Sequence, residues 1–142
     1  MIRGIVFTSL VTSVVLAAAA ARAADPGDAA KSAARKPVEA WLALVDSGNY
    51  AESWDAASSL FKAAMTREVW KAALEQVRAP LGALKERKLA GAQYATALPN
   101  APAGEYVIFQ FNATYAARSG VETVTAMKDK DGVWRVAGYF IR

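Results

Sequence analysis

The side chains that carry out most protein chemistry are missing from this sequence. The chain has no histidine and no cysteine. The commonest general base, the commonest metal ligand and the thiolate nucleophile are therefore absent. Histidine-dependent triads, thiolate zinc sites and disulfides are excluded. A carboxylate site for a hard cation is the remaining metal chemistry, but the acids are scattered. Asp129 to Gly132 lacks the spacing of a calcium loop and reads as a solvated turn. What remains is carboxylate and phenol chemistry. Asp46, Asp55, Glu105 and Glu122 are the available acids, and Tyr50, Tyr94, Tyr106, Tyr115 and Tyr139 the available donors. Such groups serve isomerases, in which an acid removes a proton beside a carbonyl and a phenol stabilises the enolate. Glu122 stands out because it lies within an alternating strand. Its simpler role is an exposed residue or a partner for Arg135 on the neighbouring strand. Arg78 and Arg87 read as partners for carboxylates.

Other chemistries lack their signatures. There is no glycine-rich phosphate loop and no cofactor motif. Lys85 to Lys88 is one short charged cluster, which does not make a nucleic-acid surface. No catalytic residue, metal ligand or cofactor is assigned.

Large apolar side chains are better represented. Trp54, Phe61, Trp70, Phe109, Phe111, Tyr115, Met127 and Trp134 are candidate lining for a pocket between helices and sheet. At helix and strand spacing, the same residues also suit a filled core. The expected function is a non-catalytic module for a small apolar ligand or an exported protein partner. The alternative is a carboxylate-based isomerase or hydrolase-like enzyme. A homodimer through an open sheet face bearing Tyr106, Ile108 and Tyr139 is a further expectation.

The elements that must position these residues are legible in order. Arg3 precedes an uncharged apolar run from Ile5 to Ala21, and Ala21-Arg22-Ala23 fits a small-x-small cleavage site. Residues 1–23 thus read as a cleaved signal peptide, residues 24–142 as one domain, and the location as exported, in the periplasm. No membrane span is expected after cleavage. The net charge of +4 includes the leader's Arg3 and Arg22, so the mature chain is nearly balanced.

Three helices are predicted. Val38, Trp41, Leu42 and Val45 form the first apolar stripe, with Pro37 either starting or kinking that helix. Gly48 suits a left-handed cap, and Asn49 with Glu52 a capping box for the next helix. Residues 58–65 are either more helix or a connector. Thr66 caps the third helix, whose stripe is Trp70, Ala73, Leu74 and Val77. Four strands follow. Leu84 to Leu98 is charged at its start and glycine-interrupted, as suits an edge. Residues 105–115 place Val107, Phe109, Phe111, Ala113 and Tyr115 on one face. Residues 121–127 and 133–141 flank a turn at Asp131-Gly132. A two- or four-residue loop there keeps Met127, Trp134, Val136 and Phe140 together, whereas a three-residue loop flips Met127. The fold class is α+β, with about three helices on a curved four-stranded antiparallel meander.

Trp41, Asp46, Gly48, Tyr50, Trp54, Phe61, Trp70, Arg78, Gly82, Glu122 and the closing run Asp131 to Tyr139 resemble a family of small exported bacterial proteins. That family is known as domain of unknown function 4019. The resemblance covers residues 30–141. It implies an exported location and a cystatin-like or nuclear transport factor 2-like fold. It implies no activity and no catalytic residues. Pro37 departs from the pattern.

Overall fold

The computed structural model describes residues 25–142. The leader expected over residues 1–23 lies outside them. Four α-helices precede four strands: α1 (Pro26–Asp46), α2 (Tyr50–Asp55), α3 (Ser59–Ala64), α4 (Arg67–Arg78), then β1 (Leu84–Ala95), β2 (Tyr106–Tyr115), β3 (Ser119–Lys128) and β4 (Trp134–Ile141). The sheet is antiparallel in the order β1-β2-β3-β4, a meander with β1 and β4 at its edges. The helices cover its inner face.

The helix starts follow from local hydrogen bonding. Asp25 accepts from Gly27 N–H to cap α1, Ser58 Oγ from Phe61 N–H to cap α3, and Thr66 Oγ1 from Val69 N–H to cap α4. Ser58 therefore opens a separate helix in the region left open as helix or connector. The capping box expected at Asn49 does not form: its side chain makes no cap bond and instead donates to Ser47 Oγ at 3.2 Å. Gly48 behaves as expected. Its φ of +80° lets Asn49 N–H reach Leu44 O at 2.9 Å and Gly48 N–H reach Val45 O at 3.1 Å, closing the end of α1. Pro37 does not begin a helix. It lies inside α1, and the exposed position of Ala33 lets water take the carbonyl that Pro37 leaves without a donor.

One core lies between helices and sheet. Val38, Trp41, Leu42 and Val45 of α1 pack with Phe61, Trp70 and Leu74 against Val107, Phe109, Phe111, Val124 and Val136 of the sheet. The inward face of β2 is the one its alternation predicts. A smaller cluster of Leu81, Ala113 and Tyr115 closes one end.

The β3–β4 pairing departs from the favoured registers in two ways. Asp129 N–H bonds Val133 O at 2.9 Å, closing a three-residue loop, Lys130 to Gly132, with Gly132 at φ +80°. That loop length sends Met127 opposite Arg135, away from Trp134 and Val136. Ala126 then pairs with Val136 but Thr125 with Gly138, so Ala137 is the extra residue of a bulge. Beyond it the facing of β4 inverts. Tyr139 turns inward against Trp41, and Phe140 turns out to 48% exposure.

Candidate functional site

Two helices and two strands deliver charged groups to one buried point. Asp46 follows Leu42 by one turn on α1, and Arg78 follows Leu74 by one turn on α4. Both therefore continue apolar stripes into the core. Arg87 lies on β1 opposite Ala113, and Glu122 on β3 opposite Phe111. Glu122 thus shares the inner face with Val124 and Ala126, and all three are fully buried. Its expected partner Arg135 lies elsewhere, bonded to Asp129 at 3.0 Å and Asp131 at 2.9 Å.

Arg87 is the keystone. One edge of its guanidinium grips Asp46, with Nη1 to Oδ2 at 2.6 Å and Nη2 to Oδ1 at 2.9 Å. The other edge grips Glu122, with Nε to Oε1 at 2.8 Å and Nη2 to Oε2 at 3.1 Å. Only a planar fork binds two carboxylates this way. Arg78 donates to Asp46 Oδ1 at 2.9 Å and to the Tyr139 hydroxyl at 3.2 Å. Tyr139 in turn donates to Glu122 Oε2 at 2.6 Å. Arg78 also lies over the Tyr115 ring, 4.9 Å from its centre. Two cations and two anions cancel within the cluster, and Tyr139 closes it.

The titration behaviour follows. Burial alone would raise the Asp46 carboxyl, but the hydrogen bonds and charges of Arg87, then Arg78, hold it below its ordinary value. Burial works against the charge on Arg87, yet Asp46 and Glu122 raise it. Burial, then the Glu122 charge, pushes the Tyr115 phenol up to about 12 and raises Tyr139 as well. A phenol raised on folding stabilises the fold fully below its unfolded value, about 10, and loses that contribution as pH climbs through the folded value. Spectrophotometric titration should therefore show phenolate forming in two stages. The later stage should coincide with unfolding near pH 12 and shrink in Tyr139→Phe. A single stage at the ordinary phenol value would contradict the burial described.

Part of the cluster borders solvent. Asp46 and Arg78 floor an open depression of about 340 Å³ between the end of α1 and the end of α4, rimmed by Gly48, Tyr50 and Gly82. An acid already held by two guanidiniums there is a weak base. Among the described residues no group of three acidic side chains is placed to hold a metal ion.

The residues predicted to line a pocket take separate places. Phe61, Trp70, Phe109, Phe111 and Trp134 are buried in the main core, and Tyr115 in the smaller cluster. Trp54 is partly buried and donates its indole N–H to Met65 O at 2.9 Å. Trp134, Trp70 and Met127 border three different surface depressions. Of the other acids, Asp55 pairs with Arg67 and Glu105 with Lys128, both on the surface.

Residues 37–139 match the family model described as "Protein of unknown function (DUF4019)". The chain belongs to the DUF4019 family. Every member of the buried cluster falls within the matched span. No curated protein matches the chain, and no solved structure does. Among the described residues of this DUF4019 chain, no helix is long and apolar enough to cross a membrane.

The cluster had a signal in the sequence. Trp70, Leu74 and Arg78 recur every fourth residue, as do Val38, Leu42 and Asp46. A charge that continues an apolar stripe needs a buried partner of opposite sign.

Proposed function

We propose that this protein is a non-catalytic binding module, exported to the periplasm, that holds a small apolar molecule between α1 and the start of β4. The observation that carries the reading is a trough of about 440 Å³ where Pro37, Trp41 and Leu44 of α1 face Val133, Trp134 and Val136. Its size lies within the range of ligand sites, and its walls are apolar. The charge at its rim, Arg135, is taken up by Asp129 and Asp131. The apolar leader supports export. We assign the domain, as part of this reading, to the cone-shaped folds of cystatin or nuclear transport factor 2 type. Helices on one face of a four-stranded meander support that assignment. The carboxylate-enzyme reading is weaker, because the buried acids are already bound to arginine.

The test uses protein isolated from its own compartment. Native mass spectrometry should show a bound mass, and the uncharged fluorophore N-phenyl-1-naphthylamine should bind with a blue shift. Leu44→Arg sits at the rim and should weaken that binding about tenfold or more. Absence of bound mass together with probe binding indifferent to Leu44→Arg would refute the reading.

A further inference from the structure

The two edges of the sheet are treated differently. β1 carries Lys85, Glu86, Arg87 and Lys88 and is broken by two register shifts. Charges and bulges of this kind keep an edge from pairing with another chain. β4 is less protected after its bulge: Gly138, Tyr139, Phe140 and Ile141 carry no charge and no proline, and the charge that follows, Arg142, lies over the Phe140 ring at 5.2 Å from its centre.

Backbone parity shows what this edge offers. Arg142 exchanges both hydrogen bonds with Val121, at 2.9 and 3.0 Å. Antiparallel alternation then points Phe140 N–H and C=O at β3, and those of Tyr139 and Ile141 outward. Nearer the start of the strand, the outward carbonyl of Val136 is closed by Ser58 N–H at 2.8 Å. No described residue does this for Tyr139 or Ile141.

Apolar surface gathers around the same edge. Four large apolar side chains are exposed among the described residues, and three of them are Val69, Val77 and Phe140. Val69, Ala73 and Val77 form a stripe at four-residue spacing on the flank of α4. Ala73 and Val77 face Phe140 and Ile141 across a groove of about 200 Å³.

We propose that β4 is the two-fold interface of a homodimer, joining two sheets edge to edge. The edge is self-complementary. An axis through Phe140 sets Tyr139 opposite Ile141 of the partner subunit, and each such pair exchanges N–H and C=O in both directions. Phe140 falls opposite Phe140 of the partner subunit in the pair whose side chains stand closest, on the open face. The same axis, normal to the sheet, leaves both α4 helices on the helix-covered side with their Val69–Val77 stripes facing across the seam. One symmetric contact thus covers the exposed groups of both faces, as an isologous interface must. No charge of β4 between its bulge and Ile141 meets its own copy. This interface uses the opposite end of β4 from the apolar trough, and the two proposals stand or fall separately.

Sedimentation velocity of the purified protein over about 1–100 μM should show a dimer. Phe140→Lys, at an exposed position, should weaken self-association about thirtyfold or more with an unchanged circular-dichroism spectrum. Because the chain lacks cysteine, Phe140→Cys introduces a single thiol. Opposed Cα atoms about 4.5 Å apart lie within disulfide reach. Mild oxidation should therefore crosslink Phe140→Cys nearly completely and leave Lys88→Cys, on the β1 edge, monomeric. A monomer at every concentration with no crosslink overturns the proposal. So does a dimer that Lys88→Cys traps and Phe140→Cys does not, and so does capture of an unrelated extended peptide at the β4 edge of a monomer.

Discussion

Arg87→Met should cost the domain about 3–5 kcal/mol, the usual cost of removing one partner from a buried ion pair. Methionine keeps much of the length and volume, so lost packing is the smaller part. The larger part is electrostatic. Glu122 is 0% exposed and loses both bonds from Arg87, keeping the Tyr139 hydroxyl and, at 3.9 Å, the Arg78 guanidinium. Asp46 loses its bidentate partner and keeps one bond from Arg78. Total stability of a domain this size is about 5–15 kcal/mol, so this one change takes a large share. At an ordinary urea dependence of about 2 kcal/mol per molar, the midpoint should fall by about 1.5–2.5 M. Arg87→Lys should land between, since one ammonium cannot offer two parallel pairs of donors. Adding Glu122→Gln to Arg87→Met should restore a large part of the loss, because the stranded charge is then gone. A loss under about 1 kcal/mol for Arg87→Met, as for a surface pair, would mean that water screens the cluster.

The acid limb of stability gives an independent readout of the same cluster. The Asp46 carboxyl lies below its ordinary value in the folded chain. Its contribution is present above the unfolded value, about 4, and lost as pH falls through the folded one. The Arg87→Met domain should show a shallower acid limb, because the chief group lowering Asp46 is gone.

The strands are legible in full and the cluster only in part, as arginines that want carboxylates, because strand signals are local and the pairing of distant charges is not. The inward face of β2 follows from alternation alone, and the end of α1 from a glycine that tolerates positive φ. The meander follows from short connections between adjacent strands. Glu122 was harder, because Val121 and Met127 make one face of β3 look apolar while Val124 and Ala126 do the same for the other. The choice is made by loop length and by partners on distant elements. The bulge at Ala137 decides whether Tyr139 or Phe140 faces the core, and it leaves no mark in residue periodicity. Pro37, open in the sequence between starting and kinking the helix, sits inside α1 for a related reason: packing of Ala30 and Ala34 before it and of Val38, Trp41 and Leu42 after it outweighs one lost hydrogen bond at an exposed carbonyl. The aromatic residues were legible as a set, whereas whether they lined one cavity or filled a core depended on contacts no local pattern records.

Trp70→Ala should cost about 3–5 kcal/mol, as large-to-small changes do in a packed core. The indole meets Phe61 edge-on at 4.8 Å and 90°, Tyr139 at 6.3 Å and 83°, and Trp41 at 6.0 Å and 35°. Such contacts add to the apolar area they bury. Its N–H also donates to Ser53 Oγ at 2.9 Å, and that hydroxyl donates to Tyr50 O at 2.6 Å. Trp70→Phe should therefore cost less, about 1–3 kcal/mol, from a smaller cavity and a buried hydroxyl short of one donor. The fuller consequence reaches the ion cluster. Trp70 and Trp41 are the walls that hold the Tyr139 ring, and the Tyr139 hydroxyl is the one remaining donor to Glu122 once Arg87 is removed. Trp70→Ala and Arg87→Met act on a shared group, so their costs should not add. The double variant should depart from the sum by about 0.5–3 kcal/mol in a denaturation cycle. Trp70→Ala paired with a change at exposed Lys88 should show no such coupling. Additivity in both cycles would mean that the aromatic wall and the buried charges are independent, and that Tyr139 is held in place by the sheet alone.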